Sequence, residues 1–169
     1  LLDVYAGEKG GGLKEYQARQ LACWQAAKPG SAFRIESAEG DKITLRDLFD
    51  DSTVTVTSEA GSQVVVVGEV LLARVVQVKD DLRLSGSTVR LPESAAGDLK
   101  AAMQKAFEEF HAEKPQAAWA DFMRAQGYLM GHFAIKLAEA QGRPPVAGKA
   151  QARGVVGRAI RRVRAGAKR

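Results

Sequence analysis

Apolar and polar positions alternate with three different rhythms along this chain. In LKEYQARQLACWQAAK (Leu13 to Lys28), the residues Leu13, Tyr16, Gln20, Cys23 and Trp24 fall along one side at helical spacing, which predicts a helix over 13–28. Pro29 and Gly30 stop it. From Ser31 to Pro92 the period drops to two, in short runs separated by turn residues: SAFRIES, KITLRDLF, TVTVT, QVVVV, GEVLLARVVQV, LRL and TVRLP. That pattern predicts five to seven strands. Connections this short require mostly antiparallel pairing, because parallel neighbours need long crossovers. In the run from Glu69 to Val78, Val70, Leu72, Val76 and Val78 share one face with Arg74, and Leu71, Ala73 and Val75 share the other. Both faces are largely apolar, so this strand is expected inside the sheet, with one face on a barrel interior and one under helices.

The helical period returns after Pro92. Leu99, Met103, Phe107 and Phe110 form one stripe. Pro115 is expected to start a second helix with Trp119, Phe122 and Met123 inward, and Gly127 to interrupt it before Leu129, Met130, Phe133 and Leu137 continue the stripe. Gly142, Pro144 and Pro145 close the folded body. The expectation is an α+β fold in a single domain, 1–142. Its parts are a helix over 13–28, a small antiparallel β-barrel or bent sheet over 31–92, and a helical cap over 95–141. A basic tail or arm, 143–169, follows.

Charge sharpens that last boundary. Lys and Arg number 25 against 20 Asp and Glu over the 169 residues, but the excess is not spread evenly. Arg143, Lys149, Arg153, Arg158, Arg161, Arg162, Arg164, Lys168 and Arg169 lie in the last 27 residues with no acid among them. The other 142 residues hold 16 cations and 20 anions, a net charge of −4. Such asymmetry marks an interaction arm. Val155, Val156, Ile160 and Val163 recur at helical spacing, so a basic amphipathic helix is expected to form on a partner. Arginine forks suit phosphate oxygens, which points to nucleic acid or a ribonucleoprotein. An anionic membrane or an acidic protein surface would attract the same cations, and a solvated solubility tail is the bland alternative.

Cys23 is the single cysteine, so no internal disulfide forms, which fits a reducing, cytoplasmic location. The longest purely aliphatic run is Val64 to Val67, far short of the roughly 18 residues of a membrane span, so no transmembrane segment is expected. Leu1 rather than Met begins the chain and no signal-peptide pattern follows, so a missing N-terminal segment stays open.

Candidate chemistry is sparse. AGEKGGGLK lacks the Gly-Lys pair and the preceding strand of a phosphate loop, and reads as a flexible turn. Cys23 beside Trp24 reads as a packed thiol. His111 follows two glutamates and reads as solvated; His132 lies among apolar residues and reads as a hydrogen-bonded core histidine. Asp47, Asp50 and Asp51 of RDLFDD could form a carboxylate cluster, but Asp50-Asp51-Ser52, like Asp80-Asp81, is better read as turn chemistry. No nucleophile elbow or dinucleotide fingerprint is present. No metal site, catalytic residue or cofactor is therefore named, and the enzyme question leans to no. The β-rich region offers two aromatics, Phe33 and Phe49, and seven cations against ten anions. That is a poor platform for stacking bases.

Four of these segments resemble the β-rich region of bacterial proteins that carry a SEC-C metal-binding motif. They are Phe33 to Glu36, Leu45 to Leu48, Gly68 to Val76 and Leu84 to Gly86; Trp119, Asp121, Phe122, Arg124 and Gly127 resemble the helical continuation. The similarity runs from about Tyr16 to Gly142. It implies the architecture above and a bacterial origin. The cysteine-rich motif that names that family is absent, and Asp50-Asp51-Ser52 stands in place of a Thr-Gly-Glu turn, so no zinc site carries over. The reading that follows is a non-enzymatic accessory protein binding nucleic acid or a ribonucleoprotein through residues 143–169. The alternative is a protein-interaction module docking through the barrel or helical cap. A third possibility is an enzyme whose site no motif reveals.

Overall fold

The computed structural model describes residues 2–58 and 65–142. Two compact units are present, Leu1–Ala134 and Ile135–Arg169. The first holds five antiparallel strands: β1 (Ser31–Glu39), β2 (Lys42–Asp47), β3 (Thr53–Thr57), β4 (Val70–Val78) and β5 (Asp81–Leu91). Their order is β3-β2-β1-β4-β5. Ahead of the sheet lie α1 (Leu2–Lys9), a single 3-10 turn at Gly10–Gly12, and α2 (Glu15–Ala26); after it come α3 (Ala96–Glu113), α4 (Trp119–Gln126) and α5 (Tyr128–Ala140). The last turns of α5 belong to the second unit.

The sheet is open rather than a closed barrel. Its edge strands β3 and β5 approach each other but share no ladder hydrogen bonds among the described residues. Two irregularities bend it. Between Ile35 and Ser37 the pairing of β1 with β2 slips by one residue, so Glu36 is bulged and its carboxylate meets Arg46 at 2.7 Å. Between Leu72 and Arg74 the partner on β5 jumps from Val89 to Ser85. Gly86 stands in that jump with φ +73°, a conformation glycine adopts without steric cost. Extra residues on one strand increase local twist and bend. They let a five-stranded sheet curl around its own core of Phe33, Ile35, Ile43, Leu45, Val56 and Leu71.

Several expectations change here. Ser85-Gly86-Ser87 is a kink within one strand, so LRL and TVRLP merge into β5. Of the expected QVVVV strand, Val65 to Val67 is irregular and the rest lies outside the described residues; Val65 packs against the core, while Val66 and Val67 are exposed. β4 is internal, as its two apolar faces require. Leu71 and Ala73 join the concave core. From the opposite face the Arg74 guanidinium donates to the carbonyls of Trp24 (3.0 Å) and Lys28 (3.3 Å). The last carbonyls of a helix lack internal partners, so Arg74 satisfies α2 while fixing where it ends.

The helix over 13–28 is α2, with a different buried side. Leu21 is its buried residue, and Tyr16 and Trp24 of the expected stripe are exposed. Polar contacts hold it instead: the Gln20 amide donates to the Gln77 carbonyl and accepts from the Lys79 N–H at 3.1 Å, at the β4–β5 turn. AGEKGGGLK, read as a flexible turn, contains the end of α1 and its 3-10 extension.

In the helical region Leu99, Met103 and Phe110 are buried as the stripe requires. Pro115 stays in the loop and Ala118 caps α4. Gly127 separates α4 from α5; a β-carbon there would stand 2.5 Å from the Met123 carbonyl oxygen. Phe122 is fully buried and lies 5.5 Å from the Phe107 ring, 5.6 Å from Phe110 and 5.2 Å from Trp119. Trp119 also packs on Phe49 of the β2–β3 connection at 4.9 Å. One aromatic cluster thus ties α3 and α4 to the sheet.

Candidate functional site

Antiparallel order brings the starts of β1, β3 and β5 and the ends of β2 and β4 to one rim of the curled sheet. Every strand contributes to a cavity at that rim, among them Phe33, Asp47, Val54, Val75 and Leu82. Ala26 and Ala27, where α2 ends, close its outer side. The cavity measures about 520 Å³. Its lining is mostly apolar with few polar groups, the usual make-up of a small-molecule site at the mouth of a curled sheet.

Asp47 is the unusual member. Ile43, Leu45 and Asp47 occupy the inward positions of β2, and Asp47 stands opposite Phe33 in the ladder. It is 8% exposed. One carboxylate oxygen, Oδ1, accepts the Phe49 N–H at 2.8 Å. The other makes no hydrogen bond to any described residue. Lys28 also lines the rim, but its side chain is 81% exposed and its ammonium meets the Asp50 carboxylate at 3.4 Å. Asp50 is the turn residue that its sequence suggests. Its Oδ1 accepts the Ser52 hydroxyl and the Ser52 N–H (2.9 Å). The hydroxyl bond is the largest influence; with that N–H and the Lys28 charge it outweighs the opposing effect of burial and holds the carboxyl below the usual carboxylate value. Asp51 follows with φ +57°, a left-handed turn position.

A second cavity of about 690 Å³ lies on the other side of α2, lined by Tyr5, Leu13, Tyr16, Leu21, Trp24 and Val78. It is the consequence of the half-open apolar face of that helix. Cys23 borders both cavities and is half-buried rather than fully packed.

The nine cations expected to bind nucleic acid, Arg143, Lys149, Arg153, Arg158, Arg161, Arg162, Arg164, Lys168 and Arg169, all lie outside the described residues. His111 stacks on Phe107 at 5.5 Å and its Nδ1 lies 3.3 Å from the Ala117 carbonyl. His132 is exposed against the Tyr128 ring (5.2 Å), not a core histidine. Among the described residues no group of three or more His, Cys, Asp or Glu is placed to hold a metal ion. None of the described helices is long and apolar enough to cross a membrane.

Setting aside the RDLFDD carboxylate cluster in favour of an Asp50-Asp51-Ser52 turn left Asp47 without a role. The signal was present in the alternation itself: positions 43, 45 and 47 are in one register, so a strand reaching Asp47 turns its carboxylate toward the apolar side.

No curated protein and no solved structure matches the chain. Residues 2–125 match the profile described as "Family of unknown function (DUF7986)", and this chain belongs to that family.

Proposed function

We propose that this chain is a non-enzymatic accessory protein that binds nucleic acid or a ribonucleoprotein through residues 143–169. The observation that carries the reading is the partition of charge: nine cations and no acid in 27 residues, against a net charge of −4 in the other 142. Cations at that density neutralise phosphates without reading base sequence. The sheet supports the assignment by what it lacks. Phe33 is committed to the concave core and Phe49 to the aromatic cluster, so neither of its aromatics is free to stack on a base. Seven cations against ten anions over 31–92 do not attract a polyanion.

Binding of the intact chain and of a chain ending at Gly142 to labelled duplex DNA and structured RNA tests the reading. Binding by the intact chain that vanishes on truncation supports it. Equal binding by both, or none by the intact chain at low salt, overturns it.

A second reading, protein docking through the folded body, is favoured by Tyr5, Tyr16 and Trp24. These three aromatics are exposed by 48%, 67% and 39% along α1 and α2, and aromatic side chains are enriched where proteins meet. Docking of that kind would survive both removal of 143–169 and high salt.

A further inference from the structure

We propose that the cavity at the rim of the sheet is a binding site for a small, largely apolar molecule carrying a protonated amine, a site independent of residues 143–169. The geometry is that of a built pocket. All five strands contribute to it, Phe33, Val54, Val75 and Leu82 give it apolar walls, and about 520 Å³ is room for a molecule of one ring and a short chain. Asp47 sets the chemistry of the head group. A carboxylate oxygen is an acceptor, and among the described residues no side-chain oxygen is both buried and without a partner, so the second Asp47 oxygen is accessible at the cavity it lines. Asp47 is buried to 8% exposure, its Oδ1 is held by the Phe49 N–H, and its second oxygen is left for something in the cavity.

An ammonium supplies both the missing donor and the opposite charge, and charge-assisted hydrogen bonds are about twice as strong as neutral ones. A neutral hydroxyl supplies a donor alone. An anionic head group would meet the Asp47 carboxylate as a like charge. The other groups at the rim able to carry charge are Lys28 and Cys23. The Lys28 ammonium is turned outward to Asp50, so it does not neutralise Asp47. Ser31, 8% exposed, Ser52, Thr53 and Gln77 complete the polar lining; all are neutral hydrogen-bonding groups, and none brings charge.

Three probes that share their apolar part test this in the full chain: 4-phenylbutylamine, 4-phenylbutanol and 4-phenylbutyrate, followed by amide chemical shifts. The amine is expected to move the Asp47, Phe49 and Val54 amides and to bind at least about tenfold more tightly than the alcohol, from the strength of a hydrogen bond to a charged group. The acid is expected not to bind. Asp47→Asn keeps an acceptor for the Phe49 N–H and is expected to bring the amine down to the affinity of the alcohol. Ala26→Trp, at an exposed position of α2 that lines the cavity, is expected to abolish binding of both with the fold intact. The proposal is overturned if amine and alcohol bind equally, or if Asp47→Asn leaves the amine unaffected. It is equally overturned if the shifts fall on Tyr5 and Tyr16 of the neighbouring cavity, or if no probe binds up to its solubility.

Discussion

Two aspartates three positions apart do different work. Asp47 ends the inward register of β2 and is buried; Asp50 sits in the turn with its charge held by Ser52 and Lys28. Because the Asp50 carboxyl is held below its ordinary value of 3.8, the folded state favours its ionised form. Its contribution to stability is present above that value and disappears as pH falls through the lowered one. Asp50→Asn should therefore cost about 0.5 kcal/mol at pH 7, the scale of an exposed ion pair. The urea midpoints of the two proteins should converge below pH 3.8. A gap that stays constant with pH would contradict this. Phe122 makes a larger demand. It is fully buried within the aromatic cluster, so Phe122→Ala should lower unfolding free energy by about 3–5 kcal/mol, read by urea denaturation. A loss under about 1 kcal/mol would show that the cluster closes over the gap.

At the scale of elements, legibility tracked how completely each one is buried. α3 was readable because Leu99, Met103 and Phe110 all face the interior, so its stripe obeys one period. β4 was readable because both its faces are covered. α2 was placed correctly but turned wrongly. Its apolar side borders a cavity instead of a packed layer, and Gln20 and Arg74, rather than a stripe, hold it in place. β5 was cut in two because Ser-Gly-Ser signals a turn, whereas Gly86 at φ +73° lets one strand kink and continue. Strand number and turn spacing left a barrel and a bent sheet both open, because they do not reveal whether β3 and β5 pair; the sheet is open, with no β3–β5 ladder among the described residues. The polar attachment of α2 gives a prediction of its own. Arg74→Met should cost about 1 kcal/mol, the value of an ordinary hydrogen bond. Amide exchange should speed up in the last turn of α2 and stay unchanged in β1 and β2. Equal acceleration in all three would mean that Arg74 stabilises the sheet rather than the helix end.

For the whole molecule, the central claim is that binding to nucleic acid resides in the charge of 143–169 and not in the −4 body. That claim has a slope attached. Each phosphate neutralised on duplex DNA contributes about −0.9 to the dependence of log K on log salt, so nine contacts set a limit near −8. The most direct measurement is that slope for the intact chain and for a variant with Arg161, Arg162 and Arg164 changed to Gln, three cations within four residues. Such a change leaves the body untouched. The account predicts a steep negative slope for the intact chain, shallower by up to about 2.7 in the variant, with weaker binding to every duplex sequence alike. A slope near zero, or one that the three substitutions leave unchanged, would contradict it and return the search for a partner to the folded body.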